Sequence, residues 1–211
     1  MKNLILVFSC SMFFFSCQKD VSFNDVEKAF LAAYKVGDTL VFESNQGQRD
    51  TVWIIDKDIS SVPWDFFNHN GEYKYLIGEV YYGSNKYLFK HEPYPYDLLS
   101  IHKSNPDSIT FSIHMNDAGI FIRTSNLDKY KISDITYLFY KTSVYRDKEY
   151  ANYLYWNMKY GVVKFMDSDS VVWRRINIDP MPKEILSLPD IKDENQLKRI
   201  RARYKKNKDA S

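Results

Sequence analysis

"DTLVFESNQGQRDTVWIID", residues 38–56, decides the fold class of this chain. Two runs rich in β-branched and aromatic residues, TLVFES (39–44) and DTVWIID (50–56), flank NQGQR (45–49). Alternation in the runs with a glycine-containing turn between them is the pattern of an antiparallel hairpin. Strand-like runs then recur as EYKYLIGEVYY (72–82), KYLFKH (86–91), LLSIHK (98–103), SITFSIH (108–114) and GIFIRT (119–124). They continue as ITYLFYKTSVY (135–145), YANYLYW (150–156), GVVKFM (161–166) and VVWRRINI (171–178). The separators at 83–85, 105–107, 116–119 and 167–170 are, apart from Ala118, built from Gly, Asn, Pro, Asp and Ser, the residues that make turns. Connections this short join antiparallel neighbours, because a parallel pair needs a crossover of a dozen or more residues. The expected fold is mainly β: an antiparallel meander of roughly nine to eleven strands, too many for one flat layer, curled into a half-open barrel or split into a sandwich.

Composition agrees with sheet. The chain has 17 Tyr, 14 Phe and 4 Trp against only 7 Gly, and aromatics fit a pleated, half-buried surface. Ahead of the first hairpin, SFNDVEKAFLAAY (22–34) spaces Phe23, Val26, Phe30, Ala33 and Tyr34 as on a helix, with Ser22 and Asp25 as a partial cap. That helix is expected to dock under the sheet. Past Pro180, Pro182 and Pro189 the chain is expected to run extended. It ends in DENQLKRIRARYKKNK, where Leu197, Ile200 and Tyr204 form a thin apolar stripe on a basic helix. The domain plan is a signal segment at 1–17, one β-rich domain with its helix at 18–189, and a basic helix or tail at 190–211.

The N-terminus reads as an address. Lys2 supplies a positive charge, residues 4–15 are apolar apart from Ser9, Cys10 and Ser11, and small Ser16 stands before Cys17. Gln18, Lys19 and Asp20 end the apolar run well short of the roughly 20 residues that a spanning helix needs. The segment resembles a bacterial lipoprotein signal, in which the cysteine after a small residue is diacylated and becomes the first residue of the mature chain. Cys17 is the lipid-attachment candidate, since a cut at Cys10 leaves too short an apolar core. With both cysteines so consumed, the mature chain has no thiol for a disulfide, a metal site or a nucleophile.

YKVGDTLVFESNQGQRDTVWI (34–54) and YLYWNMKYGVVKFMDSDSVVWRR (153–175) resemble segments of uncharacterised small outer-membrane lipoproteins of Gram-negative anaerobic bacteria. Those proteins tend to share a first hairpin reading GD-T, N-x-G, D-T. Their late hairpin carries an aromatic pair before K-x-G and a Trp after it. The resemblance implies outer-membrane anchoring, on the periplasmic or the surface-exposed face. Lys19-Asp20 gives part of the pattern by which some relatives reach the cell surface. It implies no enzymatic activity.

No P-loop, dinucleotide fingerprint or G-x-S-x-G elbow is present, and no cofactor or metal is implied. Of the histidines His69, His91, His102 and His114, none stands in a metal-ligand spacing. His102 and His114 fall on neighbouring strands, where one face brings them to Asp97 or Asp107. The DSD at 167–169 lacks the glycine and the bidentate acid of a calcium loop and reads as a polar hairpin turn. Tyr81, Tyr82, Tyr87, Tyr94 and Tyr96 crowd one segment and form a candidate ligand platform. Lys198, Arg199, Arg201, Arg203, Lys205 and Lys206 form a candidate contact for an anionic surface. The net charge of +2 is too small to imply a nucleic-acid partner. The expected role is a membrane-tethered envelope protein that binds a glycan, a lipid or an envelope protein. The alternatives are a carbohydrate-active or metal-assisted hydrolase and a structural subunit of a surface assembly.

Overall fold

The computed structural model describes residues 19–62, 73–84, 96–115, 118–145, 148–167, 169–191 and 193–208. Ten antiparallel strands form one sheet: β1 (Thr39–Ser44), β2 (Arg49–Val62), β3 (Tyr75–Ser84), β4 (Tyr96–Asn105), β5 (Ser108–Met115), β6 (Ala118–Thr124), β7 (Thr136–Tyr145), β8 (Lys148–Asn157), β9 (Gly161–Met166) and β10 (Val172–Arg175). Helices are α1 (Asp25–Ala32), the single turn α2 (Lys183–Leu186) and α3 (Glu194–Lys208), with a 3₁₀ turn at Leu127–Tyr130. The spatial order is β6-β5-β4-β3-β2-β1-β10-β9-β8-β7, so two meanders are joined where β1 pairs with β10, Phe42 opposite Arg175.

That junction makes a nearly closed barrel rather than a sandwich, with β6 and β7 facing each other across a seam. The free edge of β7 is guarded: Ile132 donates to the Thr136 carbonyl at 2.9 Å, and Arg201 Nη2 donates to the Leu138 carbonyl at 3.2 Å. Occupied edge groups cannot template pairing with another chain.

The inner face is apolar and α1 lies inside the curl. Phe30, fully buried, meets Phe111 of β5, Tyr137 of β7 and Trp156 of β8 at ring-centroid distances of 4.8, 4.9 and 5.3 Å. Leu31 sits where a side chain on Gly78 of β3 would be, its Cδ1 only 2.7 Å from that Cβ position. Tyr34 lies against Gly161, and its hydroxyl accepts from Val162 N–H at 2.6 Å. Gly161 has φ of +72°, so glycine is demanded there by both backbone and neighbour. The cap is Asn24 with Glu27, a reciprocal capping box, in place of the expected Ser22 and Asp25. Rather than docking under the sheet, this helix fills it. Its one buried acid, Glu27, accepts from Asn24 N–H at 2.8 Å to close that box and takes Lys103 Nζ of β4 on both oxygens, at 3.0 and 2.9 Å.

A second apolar cluster lies outside. Leu138, Tyr153, Tyr155 and Val163, on the outer side of β7 to β9, are covered by Ile178, Ile185, Ile191 and Leu197 of the C-terminal segment. Lys164 pins that cover, donating to the Leu188 carbonyl at 2.7 Å and meeting Asp190 at 2.5 Å. The stripe read in the sequence is the docking face of α3: Leu197 is buried, and the Tyr204 hydroxyl donates to Asp134 at 3.2 Å.

Candidate functional site on the outer face of β3 to β5

On the outer face of β3, β4 and β5 the pattern inverts. Side chains that alternate with the core residues Val80, Leu99, Ile101, Phe111 and Ile113 here carry hydroxyls, rings and carboxylates. Glu79 stands opposite Ser100, Ile77 opposite His102, and Tyr81 opposite Asp97, the last pair following a bulge between Val80 and Tyr81. On β5, Ser112 stands opposite Ser100 and Thr110 opposite His102.

These groups form a directed hydrogen-bond chain. Tyr81 O–H donates to Glu79 Oε2 at 2.5 Å, and Ser100 O–H donates to Glu79 Oε1 at 3.5 Å. His102 Nε2 contacts Ser100 Oγ, and His102 Nδ1 lies 2.8 Å from the Tyr75 hydroxyl. A carboxylate only accepts. In the neutral imidazole, with Ser100 donating to Glu79, the Ser100 oxygen receives Nε2–H and Nδ1 accepts from Tyr75. All four polar hydrogens then run towards Glu79. Glu79 and His102 side chains are 20% and 30% exposed, enough for a ligand to reach them while much of their hydration is stripped.

Electrostatics follow from this half-burial. The Asp97 carboxyl is raised above its ordinary value by desolvation and then by the Glu79 charge, against the opposing influence of His114 and His102. The Tyr81 hydroxyl is raised by its bond to Glu79 and by burial. Burial also raises Tyr75, against the charge of Arg123.

Nucleophilic catalysis by Ser100 is poorly served by this geometry. The ring nitrogen that would need a carboxylate orienter faces a tyrosine, and Ser100 is only 3% exposed. β4 is paired on both sides, so its peptide groups are committed to the sheet instead of forming an oxyanion site.

His102, His114 and Asp97 do share this region, as the strand positions suggested; Asp107 belongs to the turn at the far end of β4, where its N–H bonds Asn105. His69 and His91 lie outside the described residues. One member of the tyrosine platform, Tyr82, is corrected. Tyr81 and Tyr82 point to opposite faces, and Tyr82 is 1% exposed inside the barrel. Tyr87 and Tyr94 lie outside the described residues, and Tyr96 is described by its main chain alone, paired with Tyr82. Lipid candidate Cys17 also lies outside them. Of the basic set one member, half-buried Arg201, is committed elsewhere, to the Leu138 carbonyl, and lies 5.3 Å over the Tyr130 ring.

Tyr75, Glu79 and Ser100 were not singled out in the sequence. Their signal is the period-two placement of polar groups at 79 and 81 and at 100 and 102, opposite an apolar set. Asp167 is saturated as a turn residue, accepting from Asp169 and Val171 N–H and from Trp173 Nε1. Among the described residues, no three His, Cys, Asp or Glu side chains converge on one metal position, and no helix is long and apolar enough to cross a membrane. Comparison with protein-family models, with curated proteins and with solved structures found no match.

Proposed function

We propose that the chain is a lipid-anchored protein of the outer membrane that binds a polyhydroxylated ligand, a glycan, on the outer face of β3 to β5. The observation that carries the reading is the Tyr75, His102, Ser100, Glu79, Tyr81 chain, a row of alternating rings and hydrogen-bonding groups that reaches solvent at Glu79 and His102. Sugar rings are recognised by such pairings, with an aromatic surface for the C–H face and carboxylates for the hydroxyls. The barrel interior offers a ligand little room, since aromatics and α1 fill it. The anchor is supported by the lipoprotein-like signal ending at Cys17.

A hydrolase acting on the same glycan is the second reading, favoured by Asp97: a carboxyl raised by burial beside a second acid is a usual arrangement for proton donation. One experiment separates them. The chain from residue 18 is melted against a glycan panel, and the same mixtures are analysed for cleaved sugar. A bound glycan at a hundred times its dissociation constant raises the melting temperature by roughly 5–10 °C, and Glu79→Gln with His102→Ala abolishes the shift. Release of sugar that Asp97→Asn eliminates converts the binder into an enzyme. No shift with any glycan, or an undiminished shift in the double variant, overturns the assignment.

A further inference from the structure

The two features that point towards a membrane lie at the same end of the barrel. Lys19 pairs with Tyr73, just before β3 begins, and Lys74 N–H donates to its carbonyl at 2.9 Å. Helix α3 descends from the middle of β8 and β9, where Leu197 joins Tyr153 and Tyr155, to Asp134, just before β7 begins. In an antiparallel meander β3 and β7 start at one end. Beyond Tyr204, the last turn of α3 therefore carries its lysines out past the end at which the described chain starts. Of the seven basic residues on the helix, Arg201 is committed to the β7 edge, and Lys198 pairs with Glu194 at 3.4 Å. Arg203, Lys205 and Lys206 stand exposed. Nearby acids are engaged: Asp20 with Lys74 and Asp128 with Lys131, each at 2.7 Å, and Asp134 with Tyr204.

We infer that this end of the barrel is a membrane-contact surface, on which Arg203, Lys205 and Lys206 engage the anionic headgroups of a phospholipid bilayer. The inference deepens the anchored reading: Cys17 would stand two residues before Lys19, and lipid chains plus a basic patch together make the kind of two-signal attachment that holds a protein stably. The patch would orient the barrel on the bilayer, leaving the side face of β3 to β5 lateral and reachable.

The test uses the chain from residue 18, which keeps every core residue from Phe23 to Leu197 and has no lipid. It is sedimented with vesicles of phosphatidylcholine alone and with about one-third phosphatidylglycerol. Binding to the anionic vesicles in 50 mM salt, lost at 500 mM and absent on neutral vesicles, is the expected result. Arg203→Gln, Lys205→Gln and Lys206→Gln together lower the partition on the order of 100-fold, at about fivefold per charge. Their exposure leaves the melting temperature near that of the parent. Equal partition of parent and variant, equal binding to neutral vesicles, or preference for a DNA duplex over anionic vesicles overturns the inference. Mass spectrometry of the chain expressed with its signal in a lipoprotein-processing host tests Cys17 separately. An unmodified cysteine with vesicle binding intact removes the anchor and leaves this surface standing.

Discussion

Lys103 and Lys164 each strap a terminal segment to the barrel, one from inside and one from outside, and they do so on different physical terms. Lys103 and Glu27 are sealed together, each side chain 5% exposed, so Glu27 relies on Lys103 and on Asn24 N–H in place of water. Lys164 is 1% exposed, but its partner Asp190 is 55% exposed and the Leu188 carbonyl shares the ammonium. Desolvation lowers Lys164 despite Asp190. Burial by itself would raise Asp190, yet the bond and charge of Lys164 hold it below its ordinary value. A sealed pair fails when either partner is lost, whereas a pair with one leg in water can relax.

The largest effect should come from breaking the sealed pair. Lys103→Met strands the Glu27 carboxylate and should cost about 3–5 kcal/mol in urea unfolding. Adding Glu27→Met should recover most of it; equal losses in single and double variants would remove the pair from its strapping role. Lys164→Met should cost less, about 1–3 kcal/mol, because Asp190 turns to water while the Leu188 carbonyl and the Tyr153 hydroxyl lose a neighbour. If it costs as much as Lys103→Met, the contrast between the two straps fails.

The third effect shows only in alkali. Burial raises Tyr34 inside and Tyr153 and Tyr155 outside, so the folded chain holds these protons longer than the unfolded one. Their contribution is complete below pH 10 and is lost as pH climbs beyond it. Tyrosinate absorbance should therefore rise together with unfolding; ionisation of all tyrosines in a folded chain would contradict it. The smallest effect belongs to Asp190. Its depressed carboxyl stabilises the fold above its ordinary value, and that contribution fades as pH falls through the lower folded one. Asp190→Asn should flatten the acid limb of the stability curve slightly, and an acid limb as steep as the parent's would contradict it.

The hairpins were legible because each strand buries one face and each turn carries its own chemistry. The second half of β2 was not: DKDISSV lies past a bulge between Ile54 and Asp56 and is largely exposed, with Ile59 at 53%, so no apolar alternation marks it. KYLFKH (86–91) lies outside the described residues. Barrel against sandwich turned on one long-range pairing, Phe42 with Arg175, for which local sequence carries no signal. In the candidate site, His102, His114 and Asp97 could be placed from strand positions. Glu79 could not be matched to Ser100, because they stand opposite only once the bulge at Val80 and Tyr81 has offset the register that runs through Tyr81 and Asp97. Glu27 and Arg201 also ran against pattern. Their charges are buried because Lys103, the Leu138 carbonyl and the Tyr130 ring await them, and those partners are far away in sequence.

The β1 to β10 junction has a kinetic meaning. The Asn177 side chain bonds the Thr39 carbonyl across 138 residues of chain, and Tyr34 waits for Val162 across 128. Barrel closure thus cannot begin until nearly the whole polypeptide has been released. Until then α1 presents Phe30 and Leu31 with nothing to cover them. So non-local a topology places folding in the slow, millisecond-to-second range typical of β barrels. During that interval the chain depends on being kept unfolded and unaggregated, a need that any export route delivering it would have to meet.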